Sequence, residues 1–191
     1  MYWQEQDDNK ASFQVSNEVF DLLFELNGKS ILVDHAYLLA QEVIKNISSQ
    51  AKEHIAIHQI RVAESGNGWS RPDQLDDLIH LSKRTKLIIR VHKDAHQALL
   101  KLEGQTLNIG DQALIVGKCK VRKLSRLTTI FSHGIVCDED QSENEFLTTV
   151  VHELEQQRIF VKKMICGSSR LIRSNGVPLF TRSLMIANLT P

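Results

Sequence analysis

The spacing of apolar positions changes several times along the chain, and each change predicts an element. Residues 18–26 (Glu-Val-Phe-Asp-Leu-Leu-Phe-Glu-Leu) are a short apolar run suited to a buried strand, and Asn27-Gly28-Lys29 supplies a turn. Leu39, Val43 and Ile47 then recur every four residues, which predicts a helix over 34–48 with Asp34 as its N-cap. Residues 54–63 alternate apolar and polar, the period of a half-buried strand. Ser65-Gly66-Asn67-Gly68 is a turn signal, and a loop with Trp69 and Pro72 runs to Asp77. Residues 78–82 and 85–91 read as a strand or a strand pair. Asp94 can cap a second helix with Ala95, Leu99 and Leu102 on one face, and Gly104 marks its stop. Strands at 105–109 and 112–123 flank a Gly110-Asp111 turn.

That order is strand, helix, strand, strand, helix, strand, the split βαβ arrangement of a ferredoxin-like domain. It then restarts. Residues 127–136 read as a strand, and Ser142 with Glu145 forms a capping box. Phe146, Val150 and Leu154 share a helical face. Further strands are expected at 159–166, 170–173 and 179–189, the last two flanking a turn at 174–178. The expected fold class is α+β: two tandem ferredoxin-like domains, at 1–124 and 125–191, the second lacking its last helix and strand.

Net charge is zero, yet its distribution is uneven. Residues 112–137 hold five Lys/Arg and no acid, and residues 158–191 hold six and no acid. Acids gather in 1–25, at Asp73, Asp76 and Asp77, and in 138–143. Segregation of this kind suggests a basic face opposed to an acidic one, although solvated surfaces can also cluster charge. Three separate cysteines without a C-x-x-C pair predict a reduced cytoplasmic protein with neither a disulfide framework nor a zinc site. No apolar run is long enough for a transmembrane helix, and the acidic N-terminus is not a signal peptide.

The basic stretches contain the candidate chemistry. Lys118, Lys120 and Arg122 alternate and would share one strand face, with Lys123 and Arg126 following. Such a row can track the phosphates of a nucleic-acid backbone, or it can simply protect an exposed edge. Lys162, Lys163, Arg170, Arg173 and Arg182 surround the C-terminal turn, and their charges suit phosphates equally. No row of aromatic residues accompanies them, so a structured RNA held by its phosphates fits better than a stacked single strand. Of the eight histidines, His35 falls in the first turn of the first helix, where the dipole disfavours an imidazolium and leaves a potential general base. A capping-turn histidine without chemistry is the alternative. His58 lies on the second strand and is the second candidate. Neither His54–His58 nor His152-Glu153 has the spacing of a metal site, and no phosphate loop, nucleophile elbow or dinucleotide fingerprint is present.

Several segments together resemble the CRISPR repeat-cleaving endoribonuclease family in its myxobacterial-type subfamily. They are 32–39 (Leu-Val-Asp-His-Ala-Tyr-Leu-Leu), 66–72 (Gly-Asn-Gly-Trp-Ser-Arg-Pro), 81–87, 120–124, Cys166-Gly167 and 180–185. The resemblance is colinear over almost the whole chain. It implies two ferredoxin-like domains, with cleavage of precursor CRISPR RNA beside the repeat hairpin and no metal or other cofactor. A neutral His35, or failing that His58, would take the proton of a ribose 2′-OH. The product would stay bound by its 3′ hairpin in a Cascade-type complex, next to the backbone subunit. The family's glycine-rich basic C-terminal segment has no counterpart before Pro191. A crRNA-hairpin-binding subunit without catalysis and a small-molecule sensor are the other classes this fold accommodates.

Overall fold

The computed structural model describes residues 15–62, 72, 74–125 and 127–187. The acidic N-terminal segment, the expected turn at 65–68 with Trp69, Asp73, Arg126 and the end of the expected final strand lie outside these residues. The elements are β1 (Val19–Asn27), β2 (Ser30–Leu32), α1 (Ala36–Lys45), β3 (Ile55–Ile57), β4 (Leu78–His80), β5 (Lys86–His92), α2 (His96–Leu100), β6 (Thr106–Ile109) and β7 (Gln112–Lys123). There follow β8 (Ile130–Cys137), α3 (Glu143–Gln156), β9 (Lys163–Ser174) and β10 (Val177–Ala187).

The first sheet runs β3-β5-β1-β7-β6, antiparallel throughout. β1, β3, β5 and β7 are the four strands expected of a ferredoxin-like unit, and the central strand is the first. β6 adds a hairpin at the edge through Gly110, whose φ of 60° suits glycine. Strand alternation sends Leu22, Phe24 and Leu26 of β1, Leu87, Ile89 and Val91 of β5, and Leu114 and Val116 of β7 to one face. Leu39 and Val43 of α1, with Leu99 and Leu102, close over them. Each fully buried Leu or Ile contributes roughly 1.5–3 kcal/mol. Both helices lie on this face, so the opposite face of the sheet carries the polar alternation.

The second sheet runs β8-β10-β9, with Phe146, Leu184 and Ile186 at the centre of a smaller core under α3. The chain order of strand, helix and two strands repeats the first half of the first unit. α3 starts where its sequence says: the Ser142 hydroxyl accepts from the Glu145 N–H, and the Glu145 carboxylate accepts from the Ser142 N–H at 2.9 Å.

Several local expectations are corrected. α1 begins at Ala36 with His35, not Asp34, in the N-cap position. The 54–63 strand shrinks to β3, preceded by a 3₁₀ turn over Ser49–His54. The run at 78–82 and 85–91 is two strands that do not pair with each other: β4 pairs with β2, and β5 with β1 and β3. Asp94 does not cap α2, which follows a 3₁₀ turn over Lys93–Ala95. The two short strands expected at 159–166 and 170–173 are one continuous β9.

Candidate nucleic-acid interface

The open face of the first sheet is built around Asp21. Register places Asp21 opposite Arg90 on β5 and opposite Arg122 on β7, so the three side chains form a row across the central strands. Arg90 donates through Nε to Asp21 Oδ1 at 2.9 Å, and an Arg122 terminal nitrogen donates to Oδ2 at 2.9 Å. Asp21 is 3% exposed. Burial pushes its carboxyl up, but the hydrogen bonds and charges of Arg90 and Arg122 outweigh it together and hold Asp21 below the usual carboxylate value. The two arginine side chains stay 43% and 52% exposed.

His58 borders this row. Its N–H donates to the Ile88 carbonyl at 3.0 Å, which extends the β3–β5 pairing by one residue. The pairing places His58 on the face that carries Ile88 and Arg90. The residue is exposed at the sheet edge. Partial covering of the ring lowers its pKa first, and the charges of Arg90 and Arg122 lower it further, against an opposing pull from Asp21. The imidazole is therefore held below 6.5 and is mostly neutral at pH 7. A neutral imidazole on the same sheet face as two guanidinium groups adds a proton acceptor to anion-binding donors.

His35 sits differently. It is 1% exposed. Nδ1 lies 2.7 Å from the Leu32 carbonyl, and Nε2 accepts from the Ile60 N–H at 3.0 Å. That pattern fixes the neutral tautomer with its proton on Nδ1. Both ring nitrogens are engaged inside the core, and the ring ties the end of β2 to the segment that follows His58.

Lys120, opposite Leu23, shares the open face with Arg122. Lys118 stands two residues earlier, beside a bulge where Gly117 crosses Glu25 closely. Lys123 ends β7 opposite Phe20, on the other face. Lys162, Lys163 and Arg170 are exposed on or before β9, in the second sheet. Arg173 pairs with Asp76 at 3.2 Å. Arg182 is half-buried and donates to the Gly167 carbonyl at 3.1 Å and the Gln141 carbonyl at 2.9 Å. The structure thus gathers Lys118, Lys120 and Arg122 with Arg90 and His58, and puts the C-terminal cations elsewhere. Asp21 and Arg90 escaped the sequence reading. Their signal was there: a charged residue at an interior position of each of two apolar strands.

Among the described residues no cluster of His, Cys, Asp or Glu could hold a metal ion. No helix among them is long and apolar enough to cross a membrane.

Fold and face together define an α+β protein of tandem ferredoxin-like units with cations displayed on an open sheet. The family model described as Cas6 Crispr matches residues 20–191. The chain belongs to the Cas6 family of CRISPR-associated proteins, whose members bind and process CRISPR RNA and are generally endoribonucleases. No curated protein matches it.

Proposed function

We propose that the chain cleaves the repeat of precursor CRISPR RNA on the open face of the first sheet, with His58 as general base. The observation that carries this reading is an exposed, mostly neutral imidazole on the sheet face that carries Arg90 and Arg122. A neutral His58 nitrogen takes the proton of a ribose 2′-OH. The 2′ oxygen then bonds to the adjacent phosphorus as the bond to the 5′ oxygen breaks. The products are a 2′,3′-cyclic phosphate and a 5′ oxygen, which takes a proton to become a 5′-OH. The nearby guanidinium groups stabilise the added charge on the phosphorus oxygens, and no step requires a metal. After cleavage the chain holds the 3′ hairpin within a Cascade-type complex. His35 has both nitrogens engaged in the core, so it supports this site from below and does not take the proton.

The test is a cognate repeat hairpin incubated with purified protein in EDTA. His58→Ala should lower the cleavage rate by about 10²–10⁴-fold and leave hairpin binding unchanged. Wild-type cleavage by His58→Ala, or a requirement for a divalent ion, overturns the mechanism. The engagement of His35 also favours a second reading, a hairpin-binding subunit without catalysis, because one of the two expected bases is unavailable. Tight, salt-sensitive binding with no cleaved product from the wild-type chain decides for it.

A further inference from the structure

The row Arg90–Asp21–Arg122 has a construction that simple surface charge does not need. A carboxylate that serves only to balance cations can sit anywhere nearby in solvent. Asp21 is instead 3% exposed, in the central strand, with Oδ1 bound by Arg90 and Oδ2 shared by Arg122 and a second nitrogen of Arg90. Burying an unpaired carboxylate is strongly unfavourable, so the two arginines are fixed as firmly as the acid that holds them. Arg90 binds Asp21 through Nε and one terminal nitrogen, at 2.9 and 3.5 Å, and Arg122 binds through one terminal nitrogen. Each guanidinium has five N–H donors, so donors remain on both. The row holds two positive charges against one negative charge and shares its sheet face with His58.

We infer that Asp21 is a positioning residue that locks Arg90 and Arg122 into a two-pronged binding site for a phosphodiester of the RNA. This rests on the reading that RNA lies on the open face of the first sheet, but it does not depend on which residue is the base. A preformed pair of forks meets the non-bridging oxygens of one phosphate with little loss of side-chain freedom. Lys118 and Lys120, further along the same strand, carry no buried carboxylate partner among the described residues and supply charge without that geometry.

The experiment measures binding of a repeat hairpin with a 2′-deoxy nucleotide at the cleavage position, so that cleavage cannot intervene. The double variant Arg90→Lys/Arg122→Lys keeps every charge and loses the forks. It should bind roughly tenfold more weakly. Asp21→Asn raises the net charge by one, which on general electrostatics should tighten RNA binding. The preformed site requires the opposite, a weakened complex. An unchanged affinity in the double lysine variant, or a tighter complex with Asp21→Asn, overturns the inference. Should Asp21→Asn fail to fold, as judged by its circular dichroism, the lysine variant decides alone, since both arginines are half-exposed. Lys118→Gln/Lys120→Gln separates this inference from the reading it rests on. Weaker binding there with unchanged binding in the double lysine variant overturns the forks alone, whereas unchanged binding in both overturns RNA on the open face as well.

Discussion

His35 shows how far a single residue can be read from its neighbours in sequence. Its place at the start of α1 was legible. Its burial was not, because the acceptor for one nitrogen is three residues away and the donor to the other is 25 residues away. The buried ring satisfies the Leu32 carbonyl and the Ile60 N–H together. Removing it leaves two backbone groups unpaired beside a cavity, so His35→Ala should cost about 2–4 kcal/mol of stability in urea unfolding. His35→Gln, which can place an oxygen near the Nε2 position, should recover part of that loss. A His35→Ala protein of wild-type stability that no longer cleaves RNA would return the ring to the role of base. His58 makes the complementary prediction. Partial covering and the charges of Arg90 and Arg122 lower its pKa from the ordinary imidazole value, so the basic form predominates at pH 7. The rate of a single-turnover cleavage should rise with pH while the imidazole loses its proton and be flat once it is neutral. A rate that His58→Ala leaves with the same pH dependence contradicts the assignment.

At the scale of elements, local signals succeeded where the structure is decided locally. The capping box at Ser142 and Glu145 needs no distant partner, and the helix starts where the four residues place it. Glu145 is held below the usual carboxylate value by its hydrogen bonds to the Ser142 hydroxyl and N–H. Asp34 has a capping residue's chemistry but not its position. Burial raises its pKa, and the backbone N–H and charge of Arg173 pull the other way, so the β9–β10 hairpin claims the carboxylate that α1 leaves unused. The expected strands at 159–166 and 170–173 leave 167–169 between them, and β9 runs unbroken from Lys163 to Ser174. The strand runs straight through this segment, and a Cβ at Gly167 would require the Ser183 hydroxyl on β10 to rotate aside. The capping box carries a measurable consequence. The second core has Phe146, Leu184 and Ile186 as its buried centre, and α3 supplies the largest of them. Ser142→Ala should cost about 1 kcal/mol and lower the thermal midpoint of the chain. An unchanged midpoint would mean that packing of Phe146 alone sets the helix.

Over the whole molecule, equal numbers of acids and bases conceal a sorted surface. Both acid-free stretches were visible in the sequence, but their equivalence was not. On β7 the register with β1 turns Lys120 and Arg122 to the open face, and Lys118 follows them at the bulge. Around β9 and β10, Arg173 is paired with Asp76 and Arg182 is drawn to two carbonyls, so charges adjacent in sequence do not add up to one patch. Charge runs alone cannot distinguish these cases, since the carbonyl and carboxylate partners lie up to 97 residues away. Salt dependence can. Each phosphate contact removed should lower the slope of log affinity against log salt by a little under one unit. Lys118→Gln/Lys120→Gln should therefore flatten the slope for repeat RNA by about one to two units. Arg173→Gln should leave it within error, because an exposed pair with Asp76 contributes little to stability and the arginine lies at the far hairpin. Equal flattening by both variants would mean that RNA crosses from the first sheet to the β9–β10 hairpin. The acid-free stretches would then act as one track, despite the partners that Arg173 and Arg182 hold in the free protein.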